Sequence, residues 1–230
     1  SAVVLDWYGT LAVPHGDSFW ARLDEIVVEA GGRPDPGALA ELAQIAAAAT
    51  TEFENVPASA LDFLARTARV TPAAASVAIA QDRISEKMFL SGHGFAVAPF
   101  AVLRSDDDAA RADAKLLPGI VKSARFGYDG KGQARVRTLD DVGVAWKGMR
   151  GQPCVLERLV DLACEVSVIV ARNERGETTT WPVAENRHRD GILDVSIVPA
   201  RVSPAVARTA REVATGVATA LDYRGVLCVE

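Results

Sequence analysis

The stretch "GIVKSARFGYDGKGQARV", residues 119–136, has two apolar, strand-like segments separated by a glycine-rich loop. Glycine residues allow positive φ angles and let backbone N–H groups approach an anion closely. Lys122 and Lys131 would add positive charge for a polyphosphate. The spacing is neither that of a P-loop nor that of a Rossmann fingerprint. Two interpretations therefore stay open, an ordinary hairpin turn or a loop that holds a phosphate.

The composition of the 230-residue chain is that of an ordinary globular protein, with 49% of its residues apolar and 24% charged. Its net charge of -5 gives no electrostatic support for nucleic acid or an anionic membrane as a partner. The three cysteines lack the spacing of a metal site, which favours free thiols in a reducing compartment. No apolar run approaches the ~20 residues of a membrane span, and no signal-type N-terminus is present, so we expect a cytoplasmic protein.

The order of apolar segments predicts an α+β fold, because hairpin-like pairs of strands occur together with packed helices. Strands are predicted within 95–103, 119–124, 132–137, 153–160, 192–200 and 224–230, and a hairpin within 164–185 with Gly176 in its turn. Helices are predicted at 17–31, 34–50, 105–116 and 203–222, with two more between residues 51 and 90.

Two carboxylates stand at the boundaries of strand-like segments. Glu157 lies in "VLERLV" (155–160), and Glu165 begins the apolar part of "CEVSVIV" (164–170). Such groups could accept hydrogen bonds from an adenine amino group and a ribose; surface glutamates at strand ends are the alternative. His188 lies in the polar stretch "ENRHRDGIL" (185–193), for which a solvated loop is the alternative.

Several longer motifs occur together in a recognisable order and spacing. They are "TEFENVP" (51–57), "QDRISEKMFL" (81–90), "VKSARFGYDGKGQ" (121–133), "VLERLVDLACEVSVIVAR" (155–172), "VAENRHRDGILDVSIVPARVS" (183–203) and "LDYRGVLCVE" (221–230). Together they resemble the carboxyaminoimidazole ribonucleotide synthase (PurK) family of ATP-grasp enzymes, over about residues 51–230. The resemblance implies an α+β, ATP-grasp-like body of two subdomains with nucleotide between them.

The resemblance also implies an activity, that of a carbon–nitrogen ligase of purine biosynthesis. Family members use ATP and Mg²⁺ to activate bicarbonate as carboxyphosphate, and then carboxylate aminoimidazole ribonucleotide. They are often dimers, so a homodimer is a further expectation. A glycine-rich flap that closes over the reaction would exclude water and protect the labile carboxyphosphate.

The site residues that the resemblance implies fall into three groups. Among the residues that resemble the ATP ligands, Lys122 would hold the phosphates and Arg83 resembles the arginine on the nucleotide side. Glu157 resembles the acceptor for the adenine amino group, with Leu159 and Val160 as the backbone and apolar wall. Glu165 resembles the ribose-binding glutamate, and His188 matches the histidine near the nucleotide. Residues that match those meeting the ribonucleotide are Glu54, Tyr128, Asp129 and Lys131, and the last three are also the catalytic candidates. Asp129 would orient the substrate amine or accept its proton. Glu230 resembles a Mg²⁺ ligand.

The N-terminal segment has a different interpretation. "AVVLDWYGTL" (2–11), within about residues 2–44, resembles the opening of a haloacid dehalogenase-like (HAD) hydrolase, with Asp6 as the nucleophile. The alternative function is therefore a HAD-type phosphatase or dehalogenase. A second alternative is a non-catalytic ATP-binding fragment, because in the family further metal ligands follow the glutamate that Glu230 resembles.

The predicted division of the chain has four parts. Residues 1–50 form a strand–helix segment that does not match the family, and 51–80 a connecting helical region. Residues 81–150 form the smaller ATP-grasp lid subdomain, and 151–230 a truncated larger subdomain.

Overall fold

The strands form three separate sheets in the part of the chain that the computed structural model describes. That part consists of residues 2–5, 37, 40, 43–44, 46–51, 55–125, 127, 132–189 and 192–230.

The first sheet is small and parallel, with the strand order β1-β2-β3. Its strands are β1 (Ala2–Leu5), β2 (Ala48–Thr51) and β3 (Arg69–Val70). Helix α1 (Ala58–Leu64) connects β2 to β3 and buries Leu64 in the same core as Ala49. Helix α2 (Ala74–Ala80) follows. The boundary predicted between residues 50 and 51 lies inside β2, so the sheet includes strands from both sides of it.

The second sheet is antiparallel, with the order β4-β7-β5-β6. Its strands are β4 (Phe100–Leu103), β5 (Gly119–Ser123), β6 (Gln133–Val136) and β7 (Cys154–Arg158). Helix α3 (Arg83–Gly92) precedes it; α4 (Asp106–Ala110), a 3-10 turn at Ala114–Leu116 and α5 (Leu139–Gly148) lie along the chain between its strands.

The two faces of this second sheet have different roles. Val121 and Leu156 are fully buried in a core that also contains Trp146 of α5. Val155 belongs instead to a smaller cluster with Ile84 of α3. Successive side chains of a strand point to opposite sides of the sheet. Lys122 and Glu157 therefore lie on the α3 side, away from the main core.

The third sheet has the order β11-β10-β8-β12, and β9 also pairs with β8. Its strands are β8 (Glu165–Arg172), β9 (Thr178–Thr180), β10 (Ala184–Arg189), β11 (Ile192–Ile197) and β12 (Gly225–Val229). Helix α6 (Pro204–Ala220) packs Ala214 and Ala218 against Val168 and Val170. Across the described residues, no helix is both long enough and apolar enough to cross a membrane.

The structure confirms the predicted α+β class and also the hairpin at Gly176, which has a φ of 81° in the turn between β8 and β9. Sequence reasoning misses α5. The signal for this helix is a capping box, in which Thr138 and Asp141 each bond the backbone N–H of the other. The helix predicted at 105–116 is in fact interrupted between α4 and the 3-10 turn.

Candidate functional site

A buried carboxylate, that of Glu157, lies between two lysine side chains. Glu157 is 7% exposed. Its Oε2 is 3.1 Å from Nζ of Lys122, and its Oε1 is 3.2 Å from Nζ of Lys87. Lys122 faces Val155 across the β5–β7 pair, and α3 brings Lys87 to the same face of the sheet. The structure thus brings two predicted ATP ligands, Lys122 and Glu157, into contact with each other.

Helix α3 is fixed at its start, which sets the position of its basic residues. The Asp82 side chain accepts hydrogen bonds from two backbone N–H groups of the first turn, at 3.0 and 2.9 Å. The N–H of Arg83 donates to the carbonyl oxygen of Ala124, just after β5, at 2.9 Å. Ile84 is buried against Ala124 and Val155. The N-terminus of α3 is therefore attached to the end of the strand that carries Lys122.

Lys87 is a site residue that sequence reasoning misses. It follows Arg83 by four positions, which puts both residues on the same face of α3. Its side chain is 13% exposed, and its ammonium lies 5.6 Å from the centroid of the Phe100 ring. The spacing from Arg83 is the signal that could have identified it. Lys87 and Lys122 bring two positive charges to the single negative charge of Glu157, in a chain whose net charge is -5.

The two residues that follow β7 present apolar surface next to this cluster. Leu159 and Val160 are 41% and 47% exposed. The backbone N–H of Leu159 donates to the carbonyl oxygen of Pro118 at 2.9 Å, and that of Arg158 donates to the carbonyl oxygen of Pro99 at 2.9 Å. These bonds fix the segment at the end of β7, a central strand, between the residues that precede β4 and β5. Exposed aliphatic side chains beside fixed backbone are suited to the face of a flat aromatic ring.

Glu165 and His188 form a second pair of predicted residues in direct contact. Nδ1 of His188 donates a hydrogen bond to Oε2 of Glu165, at 2.8 Å. Strands β8 and β10 are adjacent, with Asn186 opposite Glu165, so His188 lies two residues beyond the last position at which β10 pairs with β8. Both side chains are partly exposed, so the pair is accessible to a ligand with hydroxyl groups.

Glu230, the predicted metal ligand, lies close to a buried polar network. The amide of Asn186 donates to Oγ of Ser167 at 2.9 Å and to Oε1 of Glu230 at 3.4 Å, and its oxygen accepts from Ser196. Sequence reasoning also misses Asn186 as a residue that contacts Glu230. In the described part of the chain, no three His, Cys, Asp or Glu side chains cluster as a metal site. One carboxylate fits a Mg²⁺ ion that takes its other ligands from nucleotide phosphates and water.

Five predicted residues fall outside the residues that the structure describes. They are Glu54, Tyr128, Asp129, Lys131 and Asp6.

The Glu185 carboxylate stabilises the segment that leads into α6. Arg201 donates to it through Nε at 2.9 Å and through a second guanidinium nitrogen. These bonds lower the pKa of Glu185 from 4.5 to about 2. A carboxyl group with a lowered pKa in the folded state stabilises the fold above its unfolded-state pKa and loses that contribution as the pH falls toward the folded-state value.

We expect Glu185→Gln to lower the melting temperature at pH 7 by on the order of a few degrees. The difference from the unsubstituted chain should shrink as the pH falls from 4.5 to about 2, since both chains then lack the charge. Thermal unfolding followed by circular dichroism across this pH range measures it. Glu212→Gln, on the exposed side of α6, is the control and should change nothing. A pH-independent difference would contradict the assignment to the ion pair.

Comparison with known proteins assigns the chain to a family. A model of the ATP-grasp domain matches residues 88–230, which is more than half of the chain. The chain belongs to the ATP-grasp family. The matched region includes Lys122 and Glu157, the Leu159–Val160 segment and the Glu165–His188 pair. Lys87 directly precedes it.

The chain is similar to curated relatives and solved structures that are named as carboxyaminoimidazole ribonucleotide synthases or synthetases. N5-carboxyaminoimidazole ribonucleotide synthase of Brucella melitensis biotype 1 is 45% identical over 199 residues, which cover 85% of this chain and 55% of that protein. The crystal structure of the synthetase from Thermus thermophilus superposes with a TM-score of 0.79 and 36% identity, covering 90% of this chain and 57% of that one. The Aspergillus clavatus enzyme in complex with ADP and 5-aminoimidazole ribonucleotide gives a TM-score of 0.77 at 27% identity, covering 86% and 52%. The ATP-grasp chain thus spans about half the length of the relatives it matches.

The comparisons also correct the interpretation of the N-terminal segment. A model of the ribonucleotide synthetase preATP-grasp domain matches residues 4–81. This region includes Asp6 and almost all of the stretch that resembles a HAD opening, so the HAD interpretation is not supported. The parallel pairing of β1, β2 and β3 is compatible with the matched domain. Residues 4–50 thus lie inside the same match as residues 51–81.

Proposed function

We propose that this ATP-grasp chain belongs to an ATP-dependent ligase that carboxylates aminoimidazole ribonucleotide with bicarbonate, through carboxyphosphate, in purine biosynthesis. The observation that carries the proposal is the cluster of Lys87, Lys122 and Glu157 beside the apolar Leu159–Val160 segment. This arrangement provides positive charge for phosphates next to a surface for a base. The names of the relatives support carboxyaminoimidazole ribonucleotide as the product, and the family resemblance suggests bicarbonate and carboxyphosphate.

Each end of the nucleotide has a matching part of the site. Lys122, with Arg83, would bind the phosphates. Leu159 and Val160 would contact the adenine, whose amino group would donate to an oxygen of the segment that begins at Glu157. The Glu165–His188 pair would accept and donate hydrogen bonds at the ribose hydroxyls. A nucleotide bound in this way would lie between the second and third sheets.

A Mg²⁺ ion is part of the proposal. Glu230 would supply one carboxylate, and the nucleotide phosphates would supply the other anionic ligands. Such an ion neutralises charge on the transferred phosphoryl group when it is bound. The amide nitrogen of Asn186 lies 3.4 Å from Oε1 of Glu230, so Asn186 would orient the carboxylate that faces the ion.

The chemistry depends on position and charge. A bicarbonate oxygen attacks the γ-phosphorus, ADP leaves, and the substrate amine then attacks the carbonyl carbon of carboxyphosphate, releasing phosphate. Phosphoryl transfer of this kind needs alignment and charge neutralisation more than covalent help from the protein. Glu54, Tyr128, Asp129 and Lys131 remain our candidates for contacting the ribonucleotide, with Asp129 as the group that orients or deprotonates its amine.

The location that we propose is the cytoplasm. The three cysteines, Cys154, Cys164 and Cys228, are all unpaired, as expected in a reducing compartment. Burial raises the pKa of the Cys154 thiol to about 11, which makes it an unreactive core residue.

The test has two steps. ATP with Mg²⁺ should raise the melting temperature, by an amount equivalent to about 2.7 kcal/mol when the ligand is at 100 times its dissociation constant. ADP release should then require bicarbonate and aminoimidazole ribonucleotide together. A chain that binds ATP but releases no ADP under these conditions is a nucleotide-binding module alone. A melting temperature that does not respond to ATP contradicts the proposal.

A further inference from the structure

Both oxygens of the Glu157 carboxylate are occupied by ammonium groups. Lys122 is 3.1 Å from Oε2, and Lys87 is 3.2 Å from Oε1. The side chain of Glu157 is 9% exposed, that of Lys87 13% and that of Lys122 26%. The carboxylate is thus the least accessible member of the cluster, and Lys122 is the most accessible.

This pairing is in conflict with the proposed role of Lys122. An ammonium group that donates to Glu157 must turn away, at least in part, to bind a nucleotide phosphate. Removing one partner from a buried ion pair is costly, because the other charge then lacks compensation. If Lys122 were the single partner of Glu157, nucleotide binding would have to overcome that cost.

Lys87 removes the conflict. It bonds the other carboxylate oxygen. It lies on α3, whose first turn is capped by Asp82, and its ammonium is 5.6 Å from the centre of the Phe100 ring. Two ammonium groups that share one carboxylate also repel each other, which weakens the attachment of the more accessible one. Glu157 therefore keeps a partner when Lys122 moves.

We propose that Lys87 is a positioning residue that neutralises Glu157 and so releases Lys122 to bind the nucleotide. The inference rests on the proposed function only in requiring that the chain bind ATP. It makes Lys87 act through Glu157, and not by touching the phosphate. That distinction can be measured, because the effect of replacing Lys87 must then depend on the charge of residue 157.

A double-mutant cycle tests this dependence, with the dissociation constant of MgATP measured by calorimetry on the 230-residue chain. Lys87→Met keeps the apolar stem but leaves Lys122 as the single partner of Glu157, so we expect the dissociation constant to rise about tenfold or more. Lys87→Arg should restore near-normal binding. In the Glu157→Gln background, Lys87→Met should have little effect, because no buried charge remains to retain Lys122.

The outcomes separate the alternatives. Equal losses from Lys87→Met with and without Glu157→Gln would overturn the inference and make Lys87 a direct phosphate ligand. Unchanged binding by Lys87→Met would also overturn it. Melting temperatures without nucleotide identify any variant that does not fold, in which case Lys87→Gln replaces Lys87→Met in the same cycle. If the unsubstituted chain fails to bind MgATP, the proposed function fails together with the inference, whereas additive losses in a chain that binds MgATP affect the inference alone.

Discussion

Gly119→Ala is expected to destabilise the fold by about 3 kcal/mol, near the upper end for overpacking a well-filled site. Gly119 is the first residue of β5, and its backbone passes very close to two others. A Cβ atom would lie 2.6 Å from the carbonyl oxygen of Leu116 and 2.7 Å from that of Glu157. Backbone oxygens cannot rotate away as a side chain can, so the strands themselves would have to separate. Because one of the two oxygens belongs to Glu157, the proposed nucleotide site should be disturbed together with the fold.

Chemical denaturation of the Gly119→Ala variant measures the loss of stability, and Gly143→Ala is the matched control. Gly143 lies within α5, and a Cβ atom added there meets no other atom within 4 Å. Alanine is the better helix former, so this variant should gain about 0.5–1 kcal/mol. The same substitution is thus expected to have opposite signs at the two positions. A small effect at Gly119 would mean that β5 and β7 are farther apart than in the structure.

Local sequence patterns predict most of the elements, but they do not predict which elements meet. Lys122 and Glu157 are 35 positions apart, and β6 and α5 lie between them in the chain. Their contact depends on β5 pairing with β7, which no alternation of apolar residues specifies. The family resemblance assigns both residues to the nucleotide site, whereas their direct pairing is visible only in the structure.

Lys87, on helix α3, is a second example of a contact that local sequence does not predict. A lysine in the middle of an amphipathic helix normally belongs to the solvated face. Here the carboxylate that holds it comes from a strand about 70 positions later, so the sequence of α3 alone gives no reason to expect burial. Its spacing of four from Arg83 is the one local signal.

The HAD interpretation of the N-terminal segment is wrong for a different reason. An apolar sequence run followed by an aspartate and a glycine, as at residues 2–9, is found at the start of many α/β domains. About ten residues of such a pattern cannot distinguish one parallel sheet from another. The match of residues 4–81 to the preATP-grasp domain uses the whole length of the segment and decides the question.

Lys122→Met is expected to weaken MgATP binding by on the order of tenfold to a hundredfold, because it removes a charged donor from the proposed phosphate site. ADP release in the carboxylation reaction should fall by roughly 10²-fold or more, since the lost charge matters most as phosphoryl transfer proceeds. The fold should lose little. Glu157 keeps Lys87 at 3.2 Å, so no buried carboxylate is left without a partner.

This combination of results distinguishes a functional lysine from a structural one. Calorimetry gives the binding loss, coupled detection of ADP gives the rate, and the melting temperature without nucleotide gives the stability. Lys115→Met is the control, because Lys115 is exposed on the 3-10 turn just before β5 and its replacement removes the same charge from the chain. A large fall in melting temperature with normal MgATP binding would make the Lys122–Glu157 pair a structural ion pair. Normal binding with no fall in stability would remove Lys122 from both roles and leave Arg83 as the proposed cation at the phosphates.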